Sequence, residues 1–467
     1  MILKLARSEW WQEWGVLVVV AVCALPLFTP RVYASDEIKY FSTLRSIYMD
    51  RDLHYENEYG SFIGRDPVAH AGLLPYKDGP TPTGYRLNDA PIGTAVLWAP
   101  FYMLADGVVI VGRALGSSVP RDGYSRPYVW AVCLASLFWG LAGLALTYRL
   151  CRAHVSRTAA TLGVLAVWFA SPLVFYLYIT PAMAHATSLF AVALFLWLWH
   201  RTRSERSVGQ WIILGASAGL MVLVRELNWL GLLVIGVDEL HRLITAGRAD
   251  VGGALTMLSR RSVGYLSFWL TVGAVVAPQF YVYHTLNGTF GPTPFVVEKF
   301  SALPIYTIDV LFSGFHGLFS WHPVTLVGVI GLVALWLRSP VVAMACGAFF
   351  AVQVLVVGSY DTWWGGASFG ARRFVNCTPV FALGLAALFE WLRVRSGVER
   401  HARVAVSLLV LWNFGLAIQY ATGLIPRDAP VQMSRIVRNQ FVEVAPRVAQ
   451  IARRFAFDRS SFYRTQS

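Results

Sequence analysis

The sequence predicts an all-α polytopic membrane protein with about eleven transmembrane helices and a long first external loop. Three observations carry that prediction. Hydrophobic residues make up 56% of the 467 positions and charged residues only 14%, too little polar surface for a soluble globule of this length. Apolar runs recur at membrane-spanning length. The arginines gather in the short segments between those runs, as membrane orientation requires.

Each span follows from its hydropathy and flanks. The first, 14–30, is preceded by Lys4 and Arg7. It reads as an anchor rather than a cleaved leader, because the run is long and no A-x-A site precedes Asp36. Residues 92–112 are apolar enough to cross, but they contain Pro100 and Asp106 and follow a Gly/Pro-rich stretch. Loop charge decides the matter. If 92–112 lies along the interface, the remaining spans are 127–148, 159–178, 186–200, 209–224, 227–241, 264–284, 319–337, 340–358, 374–392 and 404–422. The inner loops then hold fifteen arginines against Glu205, Asp250 and Glu399. If 92–112 crosses, every later loop changes sides and the bias reverses. We therefore expect an interfacial helix within one external loop, 31–126, and a transmembrane domain over 1–422. The tail, 423–467, carries eight arginines against Asp428, Glu443 and Asp458; parity puts it outside, as an amphipathic surface element.

The same reasoning excludes other classes. A net charge of +13 could suggest nucleic acid, yet the loop arginines are already explained by topology. The five cysteines lie far apart, mostly inside apolar runs, with no CxxC, metal-ligand or disulfide spacing.

With this topology, four distant segments emerge on one face: Asp36-Glu37, the 180–185 turn, the 287–321 loop and residues 361–374. Asp36 and Glu37 stand just outside the first span, where a carboxylate can take a proton from a water-borne substrate beside a lipid-borne one. Tyr40 follows one helical turn later. Asp50-Arg51-Asp52 has a spacing that can hold a divalent cation, but two aspartates around an arginine are common in loops, and no metal is assigned. His185 at the mouth of an apolar helix is either an interfacial packing residue or a donor to phosphate, and Arg225 at the end of another pairs with Glu226, snorkels to the interface or binds phosphate. Residues 360–374 combine Asp361, Trp363 and Trp364 with three glycines, Ser368, Arg372 and Arg373 before Phe374. Glycines let backbone N–H groups approach a ligand, arginines grip phosphate oxygens, and an aromatic face suits the C–H side of a sugar ring.

These motifs resemble those of the GT-C glycosyltransferases, polytopic enzymes that use polyprenyl-phosphate sugars and include protein O-mannosyltransferases and lipid A aminoarabinose transferases. The likeness rests on Ser35-Asp36-Glu37, Asp50 to Tyr59, Thr83 to Gly93 leading to Trp98 to Tyr102, Pro181 to His185, and Trp363 to Arg373. It implies Asp36 as general base, with Glu37 beside it in the acceptor site, and an interfacial helix matching 92–112. One departure matters. The aminoarabinose transferases have a Lys before the Pro of that helix, where this chain reads Asn88-Asp89-Ala90-Pro91. The phosphate cation must then come from Arg372, Arg373, Arg225 or Lys77. A second carboxylate is expected in the next outer loop; residues 179–185 hold none, so either His185 stands in for it or the role is absent.

The resemblance implies an inverting transferase in a bacterial inner membrane, acting on its extracytoplasmic side. The partners would be a polyprenyl-phosphate sugar, a glycan, lipid or protein acceptor, and the bilayer, with no nucleic acid and no redox cofactor. Tyr40, Asp361, Trp363 and Trp364 would meet the sugar or acceptor. Two rivals stand beside it. A flippase of lipid-linked saccharides would want ionisable groups deep in its spans, and a noncatalytic scaffold would make the convergence of motifs accidental.

Overall fold

The structure, a computed structural model, describes residues 2–396 and 399–457. It is an all-α polytopic membrane protein, and no strand occurs among the described residues. The longer helices are α1 (Ile2–Cys23), α2 (Ser35–Arg45), α3 (Glu56–Arg65), α4 (Gly93–Ala114), α5 (Arg126–Arg152), α6 (Arg157–Ala170), α7 (His185–Thr202), α8 (Val208–Val224), α9 (Leu233–Ala249), α10 (Val251–Asn287), α11 (Pro323–Trp336), α12 (Pro340–Gly358), α13 (Thr378–Ser396), α14 (Glu399–Ala421), α15 (Met433–Val442) and α16 (Val444–Phe457). All eleven expected spans are mainly helical, with shifted ends, but 159–178 breaks at Ser171 before a π turn, Phe175–Ile179, and 319–337 breaks at His322. The 227–241 span starts as a 3₁₀ turn, Glu226–Leu232, and the 374–392 span as another, Arg372–Cys377. Among the described residues six helices are long and apolar enough to cross a membrane, and four shorter apolar ones accompany them.

Local chemistry sets the boundaries. Ser207 and Gln210 close a reciprocal cap at the start of α8, the Gln210 N–H donating to Ser207 Oγ at 3.3 Å. Gly288, at φ 72°, ends α10 in the left-handed conformation that a side chain would disfavour. The seam between α11 and α13 is closer than ordinary side chains allow: a Cβ at Gly331 would collide with the carbonyl of Gly384.

Two apolar cores result. The larger lies within the bundle. The second gathers Ile38 and Phe41 of α2, Tyr59 and Phe62 of α3, Trp98 and Tyr102 of α4 and Tyr128 of α5, each large side chain stabilising by about 1.5–3 kcal/mol on burial. It glues the segment after α1 onto one end of the bundle.

Helix α4 has the length and composition to cross a bilayer, and its first half packs antiparallel along the first half of α5, the Trp98 indole donating to Ser136 at 2.8 Å, at the end of the bundle where α5 and α7 begin. At its start, Thr94 pairs with Thr187 in the first turn of α7 (3.0 Å), and Gly93 abuts the backbone of Leu223 and Val224 at the close of α8. Further on, Tyr102 donates to the Gly123 carbonyl at 2.8 Å, and Asp106 accepts from Arg121 and, at 2.7 Å, from Tyr128 near the start of α5. The cavity described next opens at that end, between the two cores.

Candidate active site

The first turn of α2 sends its two carboxylates different ways, since consecutive helical residues point about 100° apart. Asp36 faces a cavity of about 380 Å³ with 32% of its side chain exposed, a volume in the range of small-molecule sites. Glu37 turns inward and is fully buried, its Oε2 accepting from the backbone N–H groups of Tyr33 and Ala34, each at 2.9 Å.

Asp36 is held between two cations. Lys39 Nζ, one turn along α2, lies 3.0 Å from Oδ1, and Arg372 Nη1 lies 2.7 Å from Oδ2. Burial alone would push the Asp36 carboxyl up, but these cations outweigh it and hold it well below the usual carboxylate range. Lys39 is shared with Asp89 at 2.5 Å and with the Tyr76 hydroxyl at 3.2 Å. Burial opposes its charge, yet Asp36 and Asp89 keep it well above the ordinary lysine value. Glu37 behaves oppositely: burial lifts it to about 7 against its two backbone donors, and Oε1 has no hydrogen-bond partner among the described residues.

The wall opposite α2 is built by chain segments far away in sequence. His185 opens α7, and its Nδ1 faces Arg225 Nη1 at 3.3 Å. Arg373 donates to the Thr362 carbonyl at 3.2 Å, and its guanidinium sits 4.4 Å over the Tyr360 ring. Beneath them Asn376, Gln353, Asn228 and Ser188 form a buried network, Gln353 Nε2 donating to the Arg373 carbonyl at 2.8 Å. Such a fully partnered network fixes the backbone that carries the arginines.

Lys39, Arg225, Lys299, Arg372 and Arg373 line the cavity, against Asp36, Asp89 and Asp428. That excess suits an anion. Among the described residues neither Arg225 nor Arg373 forms an ion pair with a carboxylate; Arg225 contacts an imidazole, Arg373 a carbonyl. A smaller chamber of about 170 Å³ shares Tyr40, Arg225, Lys299 and Arg373 with the cavity. That chamber shares Pro91, Glu226, Leu227, Val296 and Tyr360 with a mainly apolar groove of about 360 Å³, which Trp229, Phe280 and Phe300 also border.

The four segments expected on one face thus supply Asp36, His185, Lys299 and Arg372 to a single cavity. Tyr40 and Trp364 also border it, and Arg225 and Arg373 complete the set. Glu37, Lys77, Asp361 and Trp363 do not line it; Asp361 is exposed, and Trp363 rests edge-on to Trp364 with ring centroids 6.1 Å apart. Asp50 bonds Arg45 and Asn57, whereas Asp52 bonds Ser46 and the His54 N–H, so the two aspartates serve different partners. Sequence reasoning missed Lys39, Asp89, Tyr76, Lys299 and Asp428. Only Lys39 had a local signal, its i+3 spacing from Asp36 on a helix.

No curated protein matches the chain. Residues 128–237 match the family model of dolichyl-phosphate-mannose-protein mannosyltransferases, a segment that contains His185 and Arg225 and ends before the 360–374 motif. Through it the chain is similar to the GT-C glycosyltransferases of the protein O-mannosyltransferase kind, and a membrane glycosyltransferase is the class of enzyme that this similarity supports.

Proposed function

We propose that the protein is an inverting glycosyltransferase that moves a sugar from a polyprenyl-phosphate donor to a hydroxyl of a glycan, lipid or protein acceptor, on the extracytoplasmic face of a bacterial inner membrane. The observation that carries this reading is the continuity of three environments. An ionised carboxylate and a set of cations in excess of their counter-ions line one cavity, and through a smaller chamber with shared lining residues it adjoins a mainly apolar groove. A donor made of sugar, phosphate and prenyl chain has the same order of chemistries.

In this reading the prenyl chain lies in the groove, and Arg225 and Arg373 meet the phosphate. Asp36 takes the proton from the acceptor hydroxyl as its oxygen bonds to the anomeric carbon. The bond from that carbon to the phosphate oxygen breaks with its electron pair staying on the phosphate, which leaves as polyprenyl phosphate with one more negative charge. Arg372 stands between the two events. Bonded to Asp36 at rest, it can move toward the leaving phosphate as charge develops there, freeing Asp36 when a base is needed. The lowered Asp36 carboxyl stays ionised at neutral pH. Helix α4 lies along the membrane surface within the catalytic loop 31–126, and the basic residues after 423 form a tail on the same side.

The test is acceptor-dependent release of polyprenyl phosphate from labelled polyprenyl-phosphate mannose by purified protein in nanodiscs. Release that is absent from the wild type, or undiminished in Asp36→Asn, would sink the reading.

A further inference from the structure

We infer that Asp428, a residue of the segment after α14, together with Trp364 forms the sugar-recognition subsite of the cavity, the carboxylate accepting a hydroxyl of the donor's sugar. The inference rests on the glycosyl-transfer reading and deepens it.

Trp364 is a fixed platform. Its indole N–H donates to Asp428 Oδ1 at 2.9 Å, Phe315 stacks on the ring at 5.2 Å and 29°, and the Trp364 carbonyl sits 3.1 Å from His316 Nδ1. Asp428 is exposed at the rim of the cavity, on the bend that follows α14. The turn that bears it follows Tyr420, whose hydroxyl donates to the Ala367 carbonyl of the glycine-rich loop at 3.0 Å. Ile425 is fully buried, and Arg427 lies 5.2 Å over the Tyr420 ring.

The charge pattern gives Asp428 its meaning. It borders a cavity lined by five cations, and it is ion-paired with none of them among the described residues. A carboxylate at the rim that accepts one bond from the Trp364 N–H keeps acceptor capacity on its two oxygens, and hydroxyl groups are donors that can use it. It also repels a second anion. The phosphate is therefore directed to Arg225 and Arg373, where the cavity continues into the groove, and the sugar to the Trp364 side. A pyranose can lay its C–H-rich face on an aromatic ring and present its hydroxyl rim to a neighbouring carboxylate. Gly365 links this subsite to the base: a Cβ there would sit 3.1 Å from Arg372 Nε, and Arg372 holds Asp36.

The experiment compares binding of polyprenyl-phosphate mannose and of bare polyprenyl phosphate to the full-length protein in nanodiscs. Wild type should prefer the mannosyl lipid. Asp428→Ala should weaken the mannosyl lipid about tenfold, as expected for one lost charge-assisted hydrogen bond, and leave the bare lipid unchanged, which also shows that the variant is folded. Asp428→Asn keeps an acceptor for the Trp364 N–H; a similar selective loss supports direct contact with the sugar, whereas full recovery assigns Asp428 to positioning Trp364 and overturns the proposal. Equal loss for both lipids, or loss for neither, overturns it as well. Folded wild-type protein that binds neither lipid removes the donor assignment itself, and the subsite with it.

Discussion

The bundle holds a cluster of buried charge at each end, and the two are built differently. At the end away from the cavity, Arg203 lies 3.0 Å and Arg242 3.5 Å from Asp238, while Arg206 at 2.9 Å and Arg261 at 3.0 Å share Glu239. Each arginine touches a carboxylate, and the Tyr265 hydroxyl donates to Glu239 at 2.9 Å as well. At the other end Arg225 contacts an imidazole, Arg373 a carbonyl and the Tyr360 ring, neither touches a carboxylate among the described residues, and a cavity stands before them. Buried arginines are costly unless partnered. Where the protein supplies the partner, the cluster is structural; where it supplies space, the partner is expected to be a ligand.

Four experiments can break or sharpen this contrast. The largest expected effect is all-or-none: a cysteine at Gly366 should react with an impermeant maleimide from outside intact cells, and one at Ser204 should not. Reversed labelling would put the cavity on the inner side and remove the extracytoplasmic assignment. Next comes Asp36→Asn, which preserves shape and should slow transfer by about 10²–10⁴-fold; turnover near wild type would dismiss Asp36 as the base.

Third, Arg225→Ala and Arg373→Ala should each weaken donor binding by about tenfold or more, with partial rescue by Lys, which lacks the planar fork. Arg206→Ala, at the other end, should destabilise the fold by about 3 kcal/mol and leave donor affinity per folded molecule unchanged. A direct titration with polyprenyl-phosphate mannose, beside thermal melts, reads both; similar behaviour of the two ends would erase the distinction.

The smallest effect concerns Glu37. Its carboxyl is raised from an ordinary value near 4.5 to about 7, so the folded state binds more protons than the unfolded chain between those values. Stability is thus lost as pH rises through that window. Glu37→Gln keeps an acceptor for Tyr33 and Ala34 without the buried charge. It should raise the melting temperature by about 2 °C at pH 8 and change little at pH 4, and a shift of equal size at both pH values would disprove the account.

Much of this was legible in the sequence because hydropathy and loop charge are read locally. The eleven spans follow from apolar runs, and their parity brought Asp36, His185 and the 360–374 motif to one face before any contact was known. What stayed hidden is tertiary. Asp89, Lys299 and Asp428 sit in loops with no pattern to mark them, and they reach the cavity only because distant segments fold over it. The stretch Asn88 to Pro91 carries no lysine, and a cation reaches it from α2 instead, where Lys39 bridges Asp89 and Asp36. Elsewhere adjacency misled: of the neighbours Asp36 and Glu37, Tyr76 and Lys77, and Trp363 and Trp364, one of each pair borders the cavity, a consequence of helix and turn geometry that composition does not carry.

The glycine seam between α11 and α13 has a mechanical consequence. The two guanidinium groups at the head of α13 hang from a helix whose apolar window is 78% buried in the protein, while the window of α10, which flanks the apolar groove, is 17% buried. Backbone set against backbone at Gly331 and Gly384 leaves no slack for sliding. One jamb of the doorway is anchored and the other is bathed in lipid, so changes in bilayer thickness or fluidity should alter how readily a donor enters while leaving the grip on its phosphate unmoved.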